Sequence, residues 1–241
     1  MFVLPALTTL ISLGFAAQVL NQYRTRGKPH QLAWGLALMI YAIAAFAEVI
    51  GSISGWNDIE FRVYYLFGGI LLVPWLALGT ALLLLRGPEV GRARAGYIGF
   101  VSVITVVGLV AIATAGLHGG FINSTRIPDN CAMYCPREHG YAFGNILAFL
   151  AAAVGNIAGT VVLAGGAGYS AYKTWRAGMH RNLTIGNILI LAGALIVAAI
   201  ASLTRLGYYE LFYAGQAAGV AVIFAGFLVI ASVTKPRTQL A

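Results

Sequence analysis

Charge is what this chain has least of. Lys, Arg, Asp and Glu make up 9% of its 241 residues, against 60% hydrophobic ones, whereas a soluble domain carries about 25% charged residues. A water-soluble fold this apolar would aggregate, so that class is excluded. Acidic side chains are the scarcest, seven in all, and only Glu48 falls well inside an apolar run. Cysteine occurs only as Cys131 and Cys135. The chain has no nucleophile with a paired His, no His-rich apolar helices of the kind a membrane metallohydrolase needs, and no phosphate-cradling Gly motif. Enzymes are therefore the least expected class, and no cofactor is expected. The net charge of +8 does not point to nucleic acid, because the basic residues are spread over short gaps and not gathered on one helix or arm.

What fills the chain instead is a series of long apolar runs, at 2–22, 31–53, 61–85, 95–117, 142–172, 183–203 and 208–233. Each reaches the roughly 20 residues that cross a ~30 Å hydrocarbon core as an α-helix. The runs are continuously apolar, unlike the alternating ten-residue strands of a membrane β-barrel. The expected fold is all-α: one seven-helix transmembrane domain over 1–241, with a longer external loop at 118–141. The first run does not read as a cleavable signal, since no Lys or Arg precedes it and no small-residue cleavage site is evident.

Orientation follows from the basic residues, which concentrate in cytoplasmic loops. Arg24, Arg26, Lys28, Arg86, Arg92, Arg94, Lys173, Arg176, Arg181, Lys235 and Arg237 fall after helices 1, 3, 5 and 7. Only Arg62, Arg126, Arg137 and Arg205 fall after helices 2, 4 and 6. The alternation predicts an N-terminus outside and a C-terminus in the cytoplasm. A weak internal echo accompanies it. Asn21-Gln22-Tyr23-Arg24 and Lys173-Thr174-Trp175-Arg176 both lead into basic turns, and the third helix of each triplet opens on aromatics. That suggests 3+1+3 parallel repeats, as in sugar transporters of the SWEET type, although aromatic belts and basic turns are common to membrane helices in general.

The polar residues within the runs are the candidates for function. Glu48 is expected towards the outer side of helix 2. An intramembrane carboxyl is costly and usually faces a partner or a water-filled cavity. Arg62 and Arg205, on the same side, are its candidate ion-pair partners. Asn156, Asn187 and Gln216 are amides at depth, with Asn145 and Tyr41 as further polar groups. Taken singly they read as interhelical hydrogen bonds worth about 0.6 to 2 kcal/mol. Together with Glu48 they could line a ligand or transport pathway. Gly155-x-x-x-Gly159 and Gly215-x-x-x-Gly219 predict close helix packing, with a dimer face or a hinge at Gly165 to Gly168 as the alternative. Pro74, after Gly68 and Gly69, predicts a kink or hinge in helix 3.

In the external loop, Cys131 and Cys135 favour a local disulfide if the compartment is oxidising, though a spacing of four is not ideal for one. His139 extends the pattern to Cys-x-x-x-Cys-x-x-x-His, with His118 nearby, which is not a strong metal signature. No metal site is therefore assigned. Asn123-Ser124-Thr125 is a glycosylation acceptor only in a host with that machinery.

Seven helices in about this length with the N-terminus outside is also the format of microbial rhodopsins. Those need a Lys in the last helix, whereas Lys28, Lys173 and Lys235 all lie outside the apolar runs, so a covalent retinal protein is disfavoured. The segments Phe61-Arg62-Val63-Tyr64-Tyr65-Leu66-Phe67-Gly68-Gly69, Pro74-Trp75-Leu76-Ala77-Leu78-Gly79-Thr80, Gly186-Asn187-Ile188-Leu189-Ile190 and Phe224-Ala225-Gly226-Phe227 resemble a group of bacterial seven-helix membrane proteins with no assigned activity. The resemblance implies the fold and a bacterial inner membrane, and brings no reaction with it. The resulting expectation is a transporter or permease-like protein for a small solute. The alternative is a sensing or accessory subunit that binds lipid, pigment or partner helices, and homo-oligomers fit either.

Overall fold

In a computed structural model, the described residues are 2–116, 146–205 and 210–234, with the side chains of 201–205, 210 and 234 left out. They are all helical or in short turns. The elements are α1 (Val3–Arg26), α2 (Pro29–Ser54), α3 (Asp58–Tyr64), a π-helical segment (Tyr65–Leu71), α4 (Leu72–Leu84), a 3-10 turn (Pro88–Val90), α5 (Gly91–Thr114), α6 (Ile146–Arg176), α7 (Arg181–Arg205) and α8 (Glu210–Thr234). With α3, the π segment and α4 taken as one span, seven helices are long and apolar enough to cross a membrane. The chain is therefore a candidate multi-pass membrane protein.

The helices outrun the apolar stretches where their ends are chemically favoured. α1 continues through Arg24 and Arg26 in its last turn, where cations meet the negative end of the helix dipole. It stops at Gly27, whose φ of 62° suits a residue without a side chain and whose N–H reaches Tyr23 O at 2.7 Å. α3 starts three residues before its apolar run because Asn57 and Glu60 form a reciprocal capping box, which satisfies two otherwise orphan amides.

Each helix packs on its sequence neighbour in a ring, with one exception. α1 lies on α2, α2 on the α3–α4 span, that span on α6, α6 on α7, α7 on α8, and α8 back on α1. α5 stands outside the ring against the α3–α4 span and α6. Trp56, Phe61, Tyr65 and Ile70 form a core with Ile104, Ile112 and Ala152 on that side. Phe15 of α1 closes against Phe224 and Phe227 of α8, with ring centroids 4.7 and 5.0 Å away. The outward faces of α1, α5 and α6 leave Leu10, Val103, Ile157 and Val161 well exposed, as a lipid-facing surface would.

α7 and α8 approach most closely, through glycines seven residues apart on each. A Cβ on Gly193 would stand 2.7 Å from Gly219 O, and one on Gly186 would stand 2.7 Å from Gly226 O. The two helices therefore touch backbone to backbone. Gly155 and Gly159 do the same for α6 against Pro74 and Val73. Gly165 meets nothing within 4 Å, and α6 runs unbroken past it, so the glycine cluster at Gly165 to Gly168 is not a break in the helix.

The irregularity expected at Pro74 lies just before it. Four successive residues of the Tyr65–Leu71 segment bond five residues apart, the last bond running from the Leu72 amide to Phe67 O. Pro74 follows in the first turn of α4, which continues directly from the π segment, so its missing N–H leaves a carbonyl of that segment without a helical donor.

Candidate functional site

Tyr41, Glu48 and Ser52 lie on one face of α2, at spacings of seven and four that bring side chains onto one helical stripe. That face looks into the ring. Glu48 is 2% exposed, and its Oε1 accepts a hydrogen bond from Gln216 Nε2 of α8 at 3.1 Å. Tyr41 donates its hydroxyl to Gln216 Oε1 at 2.9 Å. Ser52 and Tyr213 share a hydrogen bond at 3.3 Å. Tyr41, Tyr64 and Tyr213 all lie close enough to Glu48 to feel its charge. α2 and α8 are not close neighbours in the ring, so these long polar side chains bridge its interior. Below them Tyr41, Leu72 and Val220 pack together and close the space.

Glu48 lies about 9 Å along the axis from the α2 end at Ser54, and Gln216 about as far from the α8 start at Glu210. The two are level, nearer the poorly basic end of the bundle than the midplane depth expected for Gln216. A carboxyl there, bonded by one amide that the Tyr41 phenol orients, can hold a hydrogen-bonding solute or exchange a proton with one.

The other expected members of the pathway serve elsewhere. Asn156 Nδ2 donates to Gly69 O at 2.7 Å. Continuing the π register by two residues would pair that carbonyl with the amide of residue 74, which is Pro74 and has none, so Asn156 supplies the missing donor. Asn187 Nδ2 bonds Leu183 O of its own helix at 2.8 Å. Arg62 does not face Glu48: its Nε sits 2.9 Å from Asp58 Oδ2, and its guanidinium nitrogens donate to Ala115 O at 2.8 Å and to Ile112 O. A cation at the end of α5 meets carbonyls that have no helical donor, which is a better seat than a carboxyl across the interior. The Arg205 side chain, Asn145, Cys131 and Cys135 lie outside the described residues, as does the whole external loop at 118–141.

In comparisons with protein-family models, with curated proteins and with solved structures, nothing matches. The site therefore has to be read from its own geometry. Ser52, Tyr64 and Tyr213 are the members that sequence reasoning missed. Ser52 was detectable as the next position on the stripe through Tyr41 and Glu48. Tyr64 and Tyr213 were hidden among the aromatics that open both helices.

Proposed function

We propose that this protein is a transporter for a small hydrogen-bonding solute, with Glu48 at the centre of the pathway and the Glu48–Gln216 bridge as its closure. The observation that carries this is a carboxyl buried in the ring interior and held by an amide from a helix that is not its close neighbour. Such a contact joins α2 to α8 through side chains alone, so a solute that competes for Glu48 or Gln216 would part the two helices. An N-terminus outside and a C-terminus in the cytoplasm, as the basic turns suggest, would put this bridge towards the outer face.

The test is flux into proteoliposomes containing a pH-sensitive dye, challenged with a panel of small amines, carboxylates and sugars. Uptake or a dye response to one panel member, reduced tenfold or more in Glu48→Gln with the folded protein retained, is the expected result. Vesicles that behave like protein-free ones across the panel, or uptake unchanged in Glu48→Gln, would overturn it. A second reading, a non-transporting sensor or accessory subunit, is favoured by the packing of Tyr41, Leu72 and Val220 beneath the bridge. Recovery of a stoichiometric partner chain on gentle extraction would support that reading.

A further inference from the structure

Away from the bridge, at the opposite end of the bundle, the α6–α7 turn is built from cations and exposed rings. Gly178, with a φ of 60°, ends α6, and the Met179 amide folds back onto Thr174 O at 3.1 Å. The tight reversal sets Lys173 and Arg176 on one side and Arg181 on the other. Two hollows flank it. One, of about 370 Å³, is lined by Trp175, Met179, Arg181 and Ile185 among others. The second, of about 240 Å³, is lined by Tyr172, Lys173 and Arg176.

Neither α6 nor α7 carries an acid to neutralise this charge, and Glu89 in the Pro88–Val90 turn is the one carboxyl at this end among the described residues. From Ile146 to Thr234 the only acidic residue is Glu210, which lies at the other end of the bundle. Arg176 donates Nη1 to the Tyr172 hydroxyl at 2.8 Å, a bond that orients the guanidinium and leaves donors over. Lys173 lies 6.0 Å from the Tyr169 ring centroid. Trp175 is 69% exposed, although an indole is among the side chains most readily buried; at the end of a membrane span that is the place of an interfacial anchor.

We propose that the α6–α7 turn binds an anionic phospholipid, its headgroup phosphate held by Arg181 in the larger hollow and attracted by Lys173 and Arg176 across the turn, with its upper acyl chain lying against Trp175 and Ile185. The larger hollow has the volume of a headgroup and not of a whole lipid. Ile185 in its lining and Ile188 one turn further along α7 are both exposed, an apolar face along which the chains can continue into the bilayer. Guanidinium groups suit a phosphodiester because they offer two parallel donors. A zwitterionic lipid presents the same phosphate with a compensating cation, which the summed positive charge of Lys173, Arg176 and Arg181 around the turn repels. Basic pockets between helices at a membrane surface recognise anionic headgroups on this principle.

The experiment is native mass spectrometry of the whole protein extracted with equimolar phosphatidylglycerol and phosphatidylcholine. The wild type is expected to retain phosphatidylglycerol preferentially. The Arg176→Gln/Arg181→Gln variant should lose it by about 30-fold, from two surface cations at about 1 kcal/mol each. Arg92→Gln/Arg94→Gln, which removes the same charge from the α4–α5 turn, should keep it. Equal loss in both variants, or no headgroup preference in the wild type, would overturn the proposal. So would inorganic phosphate taking the site in place of lipid, which would mark it as a site for free anions. Should the first variant fail to fold, quenching of Trp175 in the wild type, isolated against Trp175→Phe, decides the matter: brominated phosphatidylglycerol must quench it more than brominated phosphatidylcholine.

Discussion

The Tyr41 hydroxyl donates to Gln216 Oε1, and this fixes which way the amide faces: Nε2 is left pointing at Glu48, the one group there that needs a donor. Removing the amide strands both partners. Gln216→Leu should therefore destabilise the protein by about 1 to 3 kcal/mol, since buried polar groups left unpaired cost more than a made bond returns. Tyr41→Phe leaves the Glu48 contact intact and should cost less, about 0.6 to 1 kcal/mol. Thermal unfolding in one detergent compares them, and equal losses would show that the hydroxyl does not set the amide. Glu48 stood out in the sequence because it is the one carboxyl well inside an apolar run. Its partner did not, because the positive charge it was expected to seek, Arg62, found Asp58 four residues away and the bare carbonyls of α5 instead. Sequence spacing identifies a residue that needs a partner; which partner wins depends on distances that only the packed ring supplies.

Among elements, the α3–α4 span and the α7–α8 pair depart most from what periodicity conveys. Seven apolar spans are legible because a 30 Å hydrocarbon core imposes a length that composition displays directly. A π segment keeps the same apolar residues and only shifts bonds by one place, so it leaves no mark on composition beyond Gly68, Gly69 and the later Pro74. The Asn156 bond to Gly69 O supplies its test. Asn156→Leu should cost about 1 kcal/mol. In a Pro74→Ala background, where an amide is restored, the same change should cost clearly less, and additive losses would separate the two residues. The spacing of four found Gly215 and Gly219, which both pack on α7, but not Gly186, Gly193 and Gly226, because the backbone contacts recur at seven. Gly193→Ala drives a methyl into the Gly219 carbonyl and should destabilise by about 1 to 3 kcal/mol. Gly165→Ala, with open space around it, should be neutral or slightly stabilising, as alanine is the better helix former. Chemical unfolding of the two variants side by side reads the difference.

At the scale of the whole molecule, the ring is asymmetric in charge. The turns after α1, α4 and α6 carry Arg24, Lys28, Arg92, Arg94, Lys173 and Arg181, while the opposite ends of the described spans hold little beyond Arg62 and Arg205. A C-terminal fluorescent-protein fusion should then be bright and a C-terminal periplasmic-phosphatase fusion inactive, as a cytoplasmic C-terminus requires; the reverse pattern would invert the orientation and put Glu48 on the inner side. The ring order, with α5 standing outside it, could not be read from hydropathy, which reports that a helix is in lipid and not which helix it touches.

One consequence of the Tyr65–Leu71 segment reaches beyond packing. A π turn is what a helix does with one residue more than its neighbours can accommodate. Arg62 on Ala115 O at one end and Trp75 on Thr105 Oγ1 at the other hold both flanks in place regardless of that surplus. Deleting a single residue from almost any other span would turn every side chain beyond it by about 100° and scramble the face it presents. Deleting Gly69 should instead let the span relax into ordinary helix with both flanks still facing their partners, so that among the described spans this is the one expected to stay folded when shortened by a residue.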